Sequence, residues 1–354
     1  RLWKQSSGLM ARSVTQNAGD HGEHYITRDK KEYWAMFYSA AGGGVLIALM
    51  ALFKTYLGSI IDDKVWKGIA EGLNYGLGFM VIFMLHFTVA TKQPAMTAAR
   101  FAEAVEKTPQ GKTVNMKLAQ LLVDVFRSQS IAVLGNVLIA MGLAALIAFG
   151  YQYKTGEPLM NADQIAYQLH SIDPFAGTLW FAAIAGVWLF CSGIISGYFD
   201  NRSNYLNMRM RLTQHPLLKK LMSEKTRVKF ANYMHENYGS LIGNLCFGML
   251  LGITGVVGYL THLPLDIRHV AFSSANVGYI AVSGHFTYSL LLQCIAFVLL
   301  IGLVNLIVSF SLTLWVALRS LNAEIDSWWP IWHEVCQIVK KRPLSLFLPV
   351  QLDK

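Results

Sequence analysis

The segment Leu85–Glu103, LHFTVATKQPAMTAARFAE, joins an apolar run to a helix-forming segment. The apolar run before it, residues 72–91, is long enough to cross a bilayer. Lys92 ends this run, and its long side chain can reach the headgroups while its stem stays in apolar surroundings. Pro94 disfavours a helical conformation at the preceding residue and favours the start of a new helix. The stretch therefore predicts a span that ends at Lys92, followed by a helix on or below the membrane surface.

Five further apolar runs surround this stretch. The chain is 54% hydrophobic and 14% charged, whereas a soluble domain carries about 25% charged residues. Runs of about 20 apolar residues are typical of transmembrane helices. The six runs cover residues 35–57, 72–91, 130–151, 176–199, 240–261 and 287–318. The composition predicts an all-α, polytopic membrane protein with about six transmembrane helices, in a domain that covers residues 35–318.

The basic residues between the runs are distributed unevenly. One set of segments holds six, six, eight and five Lys and Arg residues, in residues 1–34, 92–129, 200–239 and 319–354. The alternate set holds two, one and one, in residues 58–71, 152–175 and 262–286. Because Lys and Arg concentrate in cytoplasmic loops, this pattern places both termini in the cytoplasm. The net charge of +9 therefore favours anionic lipid at the cytoplasmic face as a partner, and nucleic acid is the weaker interpretation.

The cytoplasmic segments contain helix-forming stretches of their own. Residues 1–34 form an N-terminal segment, and because the chain begins at Arg1 we expect them to end a longer upstream region. Basic helices are predicted at about 95–127 and 204–237, where a protein partner is able to bind. In the tail, residues 319–354, tryptophans precede a basic cluster, a pattern typical of an interfacial helix anchored in anionic lipid.

Short matches between the runs suggest an internal repeat. A glycine opens each odd-numbered span, at Gly43, Gly135 and Gly243, and a cation ends each even-numbered span. We interpret this as three quasi-repeated helical hairpins around a centre. The cations and their polar neighbours then form a predicted binding site for a lipid headgroup or another anion, made of Lys92, Gln93, Asp200, Asn201, Arg202 and Arg319. The alternative is that the cations are topology anchors that point outward to lipid.

Several polar residues within the apolar regions are candidates for a substrate cavity. These residues are His86, Asn136, Asn244, Asp266, Arg268 and His269. An ionisable residue inside a span is a functional candidate, but hydrogen bonds between helices would explain the same residues. The segment Leu263–Phe286 is too apolar for a free loop and too interrupted for a span. It fits either a re-entrant segment or a surface cap in which Asp266 pairs with Arg268.

The sequence offers no pattern for catalysis or for a cofactor. It lacks the glycine-rich motifs that bind nucleotide phosphates and the GxSxG motif of serine hydrolases. No CxxC pair occurs among the four cysteines, so neither a zinc site nor a redox pair is predicted. We therefore predict no cofactor, no metal and no catalytic residue.

Four blocks of sequence together resemble a bacterial membrane protein family named site-specific recombinase, Gcr-like. They are EHYITR at Glu23–Arg28, AAGGG at Ala40–Gly44, LHFTVATKQPAMTAA at Leu85–Ala99 and LPLDIRHVAFSSAN at Leu263–Asn276. The resemblance implies a multi-pass protein of the Gram-negative inner membrane with a further helical region upstream. The H-x-x-R motif of tyrosine recombinases and the Tyr-x-Arg-x-Ser motif of serine recombinases are both absent from the sequence.

The sequence is compatible with three functions. The polar residues inside an apolar chain favour transport or handling of a lipid or another anionic substrate. A membrane scaffold that recruits a partner protein is the first alternative. Site-specific DNA recombination, as the name of the resembling family says, is the second.

Overall fold

The computed structural model describes residues 12, 15, 25–106, 112–283 and 286–348, which fold into helices and turns without a strand. The first part of the chain forms α1 (Lys30–Ile60), α2 (Lys64–Met84), α3 (Gln93–Glu106) and α4 (Lys112–Thr155). A short helix, α5 (Ala162–Ile172), connects it to the second part. The second part forms α6 (Thr178–Tyr205), α7 (Met208–Gln214), α8 (Pro216–Leu221), α9 (Glu224–Thr261), α10 (Val270–Ala281) and α11 (Tyr288–Leu321). The tail adds α12 (Trp329–Lys341).

Five of these helices, α1, α4, α6, α9 and α11, are long and apolar enough to cross a membrane. The predicted helical membrane class is thus confirmed, while the count of six spans stays a prediction. The second predicted span corresponds to α2, which begins earlier and ends earlier than residues 72–91. Lys64, Lys67 and Glu71 lie in its first turns, and α2 is not among the five helices that are apolar over a length sufficient to cross a membrane.

The helix α2 packs closely along α9 through glycines on both helices. Gly72 and Gly76 of α2 face Gly252 and Gly248 of α9, so that the two backbones meet without intervening side chains. Because residue numbers rise along α2 as they fall along α9, the helices are antiparallel. Small residues allow this kind of close approach between helices in a membrane.

The remaining long helices form two parallel pairs. Gly44 of α1 contacts Ala140 of α4, and Gly135 of α4 contacts Ala40 of α1, so these helices run side by side in the same direction. In the second pair, Gly186 of α6 contacts Val308 of α11. The chain enters α6 at the end where it leaves α4, and the second pair therefore runs opposite to the first.

The protein thus consists of two halves in inverted orientation, α1–α4 and α6–α11, instead of the three hairpins that the sequence suggested. The three-hairpin interpretation was wrong because it rested on glycines whose common property is close helix packing. Gly43 faces the backbone of Thr88, Gly135 faces Ala40, and Gly243 faces Ser192. Each glycine has a different neighbour, so their matching positions in the sequence do not reflect a repeated unit.

Each half contains one short helix that starts in the interior of the bundle. In the first half this is α3, whose buried residues Ala98, Phe101 and Ala102 pack with the last turns of α11. In the second half it is α10, where Gly278 contacts Met141 of α4 and the Tyr279 hydroxyl donates to the carbonyl of Ala48 at 2.8 Å. The two half-helices run from the centre toward opposite ends of the bundle.

This arrangement corrects two predicted helices and decides between the two interpretations of a third segment. The predicted surface helix at residues 95–127 is divided between the buried α3 and the first turns of α4, because α3 has apolar residues on the face that meets α11. The predicted helix at residues 204–237 is divided among the end of α6, α7, α8 and the beginning of α9. The segment Leu263–Phe286 enters the bundle as α10 and is not a surface cap, although Asp266 does pair with Arg268 at 2.6 Å.

We expect Gly135→Leu and Gly243→Leu to destabilise the protein strongly, by about 1–3 kcal/mol or more each. Even a Cβ at Gly135 would lie 2.8 Å from the Cβ of Ala40, and one at Gly243 would lie 3.0 Å from the carbonyl oxygen of Ser192. Gly142→Leu is the matched control, since a Cβ there meets nothing within 4 Å. Thermal unfolding of the purified protein in detergent measures the difference. Equal losses at the three positions would contradict the packing described here.

Candidate functional site

The start of the first half-helix is held by one asparagine of α4. The Asn136 side chain accepts a hydrogen bond from the backbone N–H of Ala90 at 2.8 Å and donates to the carbonyl of Thr88 at 2.9 Å. It also donates to the carbonyl of Ala40 in α1 at 2.6 Å. One buried side chain therefore fixes the irregular segment before α3 against two spanning helices.

The start of the second half-helix is held in the same way by Asn305 of α11. This side chain accepts from the backbone N–H of Val270 at 3.1 Å and donates to the carbonyl of Arg268 at 3.0 Å. It donates again to the carbonyl of Ala182 in α6 at 2.7 Å. The two asparagines thus occupy equivalent places in the two inverted halves. Each satisfies backbone groups that an interrupted helix leaves without partners.

The turns that lead into the two half-helices are also alike. His86 follows the end of α2 with φ 59°, and His262 follows the end of α9 with φ 56°. Both side chains are exposed, at opposite ends of the bundle. The structure therefore places His86 in a turn beyond a helix, and the expectation that it lies inside a span was wrong. The reason is that α2 ends at Met84, seven residues before the end of the apolar run.

The two segments meet at the centre of the bundle. The hydroxyl of Thr91, just before α3, lies 2.7 Å from Nε2 of His269, the residue that precedes α10. Both residues are about 1% exposed. Three aromatic rings surround the imidazole at centroid distances between 5.6 and 6.1 Å, those of Phe79, Phe247 and Phe272. Residues from both halves therefore form one contact between the N-terminal ends of the half-helices.

Lys92 lies next to this contact. Its ammonium group donates to the side-chain oxygen of Asn244 on α9 and lies 5.5 Å from the centroid of the Phe247 ring. The lysine is half-buried, and among the described residues no salt bridge includes it. Gln93, which follows it, is fully buried and accepts from Gln129 at 2.8 Å.

A polar cluster lies on the outer side of the aromatic rings, toward the end where α1 meets α2. Lys54 of α1 pairs with Glu71 of α2 at 3.5 Å. Below this pair, Tyr75 packs against Phe272 with a centroid distance of 4.4 Å. From the outer end inward, the structure therefore presents a charged pair, a layer of aromatic rings and then the central His269.

The predicted site residues fall into two groups. Lys92, Asn244 and His269 come together at the centre, with Gln93 and Asn136 beside them. Arg268 lies one residue from the centre, where its guanidinium contacts Asp266 and the carbonyl of Ser171 at 2.8 Å. The other predicted residues lie elsewhere: His86 lies in the turn after α2, and the ends of α6 and α11 carry Asp200, Asn201, Arg202 and Arg319.

The predicted ring of three cations is therefore not formed. Lys92 lies in the interior, whereas Arg202 and Arg319 are exposed. The guanidinium of Arg319 lies 5.7 Å from the centroid of Trp315, and Asp200 accepts from the backbone N–H of Gly239 at 2.9 Å. The ring depended on three equivalent hairpins, and the inverted halves remove that equivalence.

Sequence reasoning missed Asn305, Thr91 and the aromatic rings. Asn305 carried a usable signal, since it is the only asparagine in the apolar run 287–318. Thr91 and the phenylalanines carried none, because threonine and phenylalanine are ordinary residues in apolar helices. The site offers hydrogen-bond donors and a cation rather than metal ligands, and in the described part of the chain no group of three or more His, Cys, Asp or Glu is placed to hold a metal ion.

Comparisons with known proteins identify the family of this chain. Residues 1–349 match the family described as site-specific recombinase. The chain belongs to that family. The match covers nearly the whole chain, so the inverted halves and the central contact lie within the matched region. No curated protein and no solved structure matches the chain significantly.

Proposed function

We propose that this member of the site-specific recombinase family transports a small polar solute across the membrane. The observation that supports the proposal is the contact between the two half-helices, which start in the middle of the bundle and come from inverted halves. Transporters place substrate sites near the midplane at the interface between inverted repeats, and they build these sites from interrupted helices. Irregular backbone at membrane depth is tolerated where protein or a water-filled cavity satisfies its polar groups.

The aromatic layer gives the proposed pathway a constriction. Phe79, Phe247 and Phe272 surround His269 and leave the centre closed in this conformation. Hydrophobic constrictions gate pores by excluding water. We propose that a solute passes from the Lys54–Glu71 pair to Lys92 when these rings separate.

We propose transport of a small solute in preference to the other functions that the sequence left open. The lipid-headgroup site depended on the ring of cations, whereas the central contact is buried and suits a solute of a few atoms. A scaffold would not need Asn136 and Asn305 to hold two interrupted segments at one point. Recombination, which the family name suggests, finds no support in the sequence, since both recombinase signatures are absent.

We further propose that the protein lies in the bacterial inner membrane with both termini in the cytoplasm. The uneven distribution of Lys and Arg supports this orientation, because the basic helices α7 and α8 follow the end of α6 and α12 follows the end of α11. Lys219, Lys220, Lys340 and Lys341 belong to these helices and would meet anionic lipid.

The test is solute flux into proteoliposomes that contain the full chain, measured by light scattering after an osmotic step with glycerol, urea or sodium nitrate. We expect at least one solute to enter faster than it enters empty liposomes. To assign the pathway, Thr91→Cys is made in a chain whose four cysteines are replaced by serine. A small, charged thiol reagent should then block the flux.

Gly142→Cys in the same background is the control, because this position on α4 is exposed and a Cβ there meets nothing within 4 Å. The reagent should leave its flux unchanged. Equal permeability of protein-containing and empty liposomes for every solute would overturn the proposed function, and block at both cysteines would overturn the proposed pathway.

A further inference from the structure

We infer that the centre of the bundle binds a small monovalent anion between Lys92 and His269. This inference rests on the proposed function, since it names the class of solute. It is carried by the juxtaposition of a cation without an acidic partner, a buried imidazole with a free ring nitrogen and the N-terminal ends of two half-helices.

The first observation concerns charge. The ammonium of Lys92 faces the neutral Asn244 side chain and the ring of Phe247, and within the described residues no carboxylate lies at salt-bridge distance. An unpaired charge in apolar surroundings is costly. A bound anion would compensate it. The acidic residues Glu71 and Asp266 instead pair with Lys54 and Arg268.

The second observation concerns His269. Its Nε2 lies at hydrogen-bond distance from the Thr91 hydroxyl, while its Nδ1 is buried and has no hydrogen-bond partner among the described residues. Buried polar atoms in proteins are nearly always hydrogen-bonded, so this one requires an explanation. When Thr91 donates to Nε2, the proton of the neutral imidazole resides on Nδ1. That nitrogen then offers a donor to a ligand at the centre.

The third observation concerns the helix ends. The N-terminus of an α-helix carries a partial positive charge of about half an elementary charge. The first residues of α3 and α10 lie on either side of the Thr91–His269 contact, so both partial charges add to that of Lys92. In transporters with interrupted helices, such N-termini face the anionic groups of substrates. In aquaporin-type channels, the positive ends of half-helices exclude cations.

The space around the contact sets the size of the ligand. Thr91, Gln93 and His269 are buried, and three aromatic rings surround the imidazole, so an ion of a few atoms suits this site better than a headgroup with acyl chains. The Asn244 oxygen accepts from Lys92, and its amide nitrogen donates one N–H to the carbonyl of Ser240 at 2.8 Å, which leaves the second N–H for the anion. Nitrate and chloride are therefore suitable probes.

The experiment measures binding separately from transport. The full chain in detergent is unfolded by heat in sodium nitrate and in sodium gluconate of the same ionic strength, since gluconate is too large for the site. A ligand that binds only the folded state raises the melting temperature, here by about 2–4 °C at saturating nitrate. Lys92→Gln should lose this rise, and Lys225→Gln, an exposed lysine on α9, should keep it.

Three outcomes overturn the inference. The first is that nitrate and gluconate give the same melting temperature for the natural chain. The second is that Lys92→Gln responds to nitrate as the natural chain does. If Lys92→Gln does not fold, Lys92→Met and His269→Gln replace it, and a full nitrate response in both would be the third. Nitrate binding without any solute flux would contradict the proposed function but leave this inference standing. Glycerol flux without nitrate binding would contradict this inference but leave the proposed function standing.

Discussion

Gly252→Ala is expected to prevent the two halves from packing, so that little folded protein is recovered from the membrane. A Cβ at Gly252 would overlap the backbone of Gly72 in α2, and it would also approach the carbonyl of Gly68. These atoms belong to the backbone, so no side chain can rotate away to make room. The helices would have to separate along an interface that joins the first half to the second.

Gly255→Ala provides the control for this change on the same helix. The nearest atom to a Cβ at Gly255 is the Asp266 Oδ1 at 3.7 Å, an ordinary contact distance. In helix interiors alanine is favoured over glycine by about 1 kcal/mol, so this variant should be as stable as the natural chain or more so. Size-exclusion profiles and melting temperatures of both variants in detergent measure the difference. Similar behaviour of the two would contradict the close approach of α2 and α9.

Asn305→Ala should destabilise the second half by about 2–4 kcal/mol. It removes three hydrogen bonds at once, to Val270, Arg268 and Ala182. Each buried polar group left without a partner costs about 1–3 kcal/mol, although shifts of the backbone recover part of this loss. Asn136→Ala should have a similar effect in the first half, because it holds an equivalent segment.

Asn74→Ala is the matched control for the asparagine variants. Asn74 also lies in an apolar helix, but its side chain makes a single hydrogen bond, to the carbonyl of Met50 at 2.9 Å. Its loss should cost about 1 kcal/mol or less. Melting temperatures of the three variants provide the comparison. If Asn74→Ala were as destabilising as Asn305→Ala, the asparagines would not be the residues that hold the half-helices.

The sequence predicted the helices better than it predicted their arrangement. Apolar runs are local properties, so five of the six predicted spans correspond to helices long and apolar enough to cross a membrane, and the break near Lys92 was predicted from the sequence. The inverted halves depend on which glycine meets which backbone, and the sequence does not encode this in any pattern we could recognise. The matching positions of Gly43, Gly135 and Gly243 led to a wrong repeat, because glycine is found wherever two helices pack closely, whether or not the helices belong to a repeated unit.

The sequence also predicted some of the site residues, but it did not predict how they are grouped. Lys92, Asn136, Asn244 and His269 attracted attention as polar residues in apolar surroundings. Their grouping did not follow from the sequence, since Lys92 and His269 lie far apart in the chain and approach the centre from opposite ends. The residues that complete the centre, Thr91 and the aromatic rings, have no unusual chemistry by themselves.

Two interrupted segments enter the bundle from opposite ends and meet at Thr91 and His269. Side-specific labelling of single cysteines in cells tests this arrangement, in a chain whose four natural cysteines are replaced by serine. The positions are His86, Thr88 and Thr91 in the first segment and His262, Ile267 and His269 in the second, with Gly156 as the outer reference.

We expect an impermeant thiol reagent outside the cell to label Gly156→Cys and His262→Cys. Labelling should decline through Ile267→Cys to His269→Cys, where the backbone is buried. His86→Cys should react only from the cytoplasmic side, in inverted vesicles, with a decline toward Thr91→Cys. Labelling of His86→Cys and His262→Cys from the same side would contradict the inverted halves, and with them the meeting point on which the proposed transport depends.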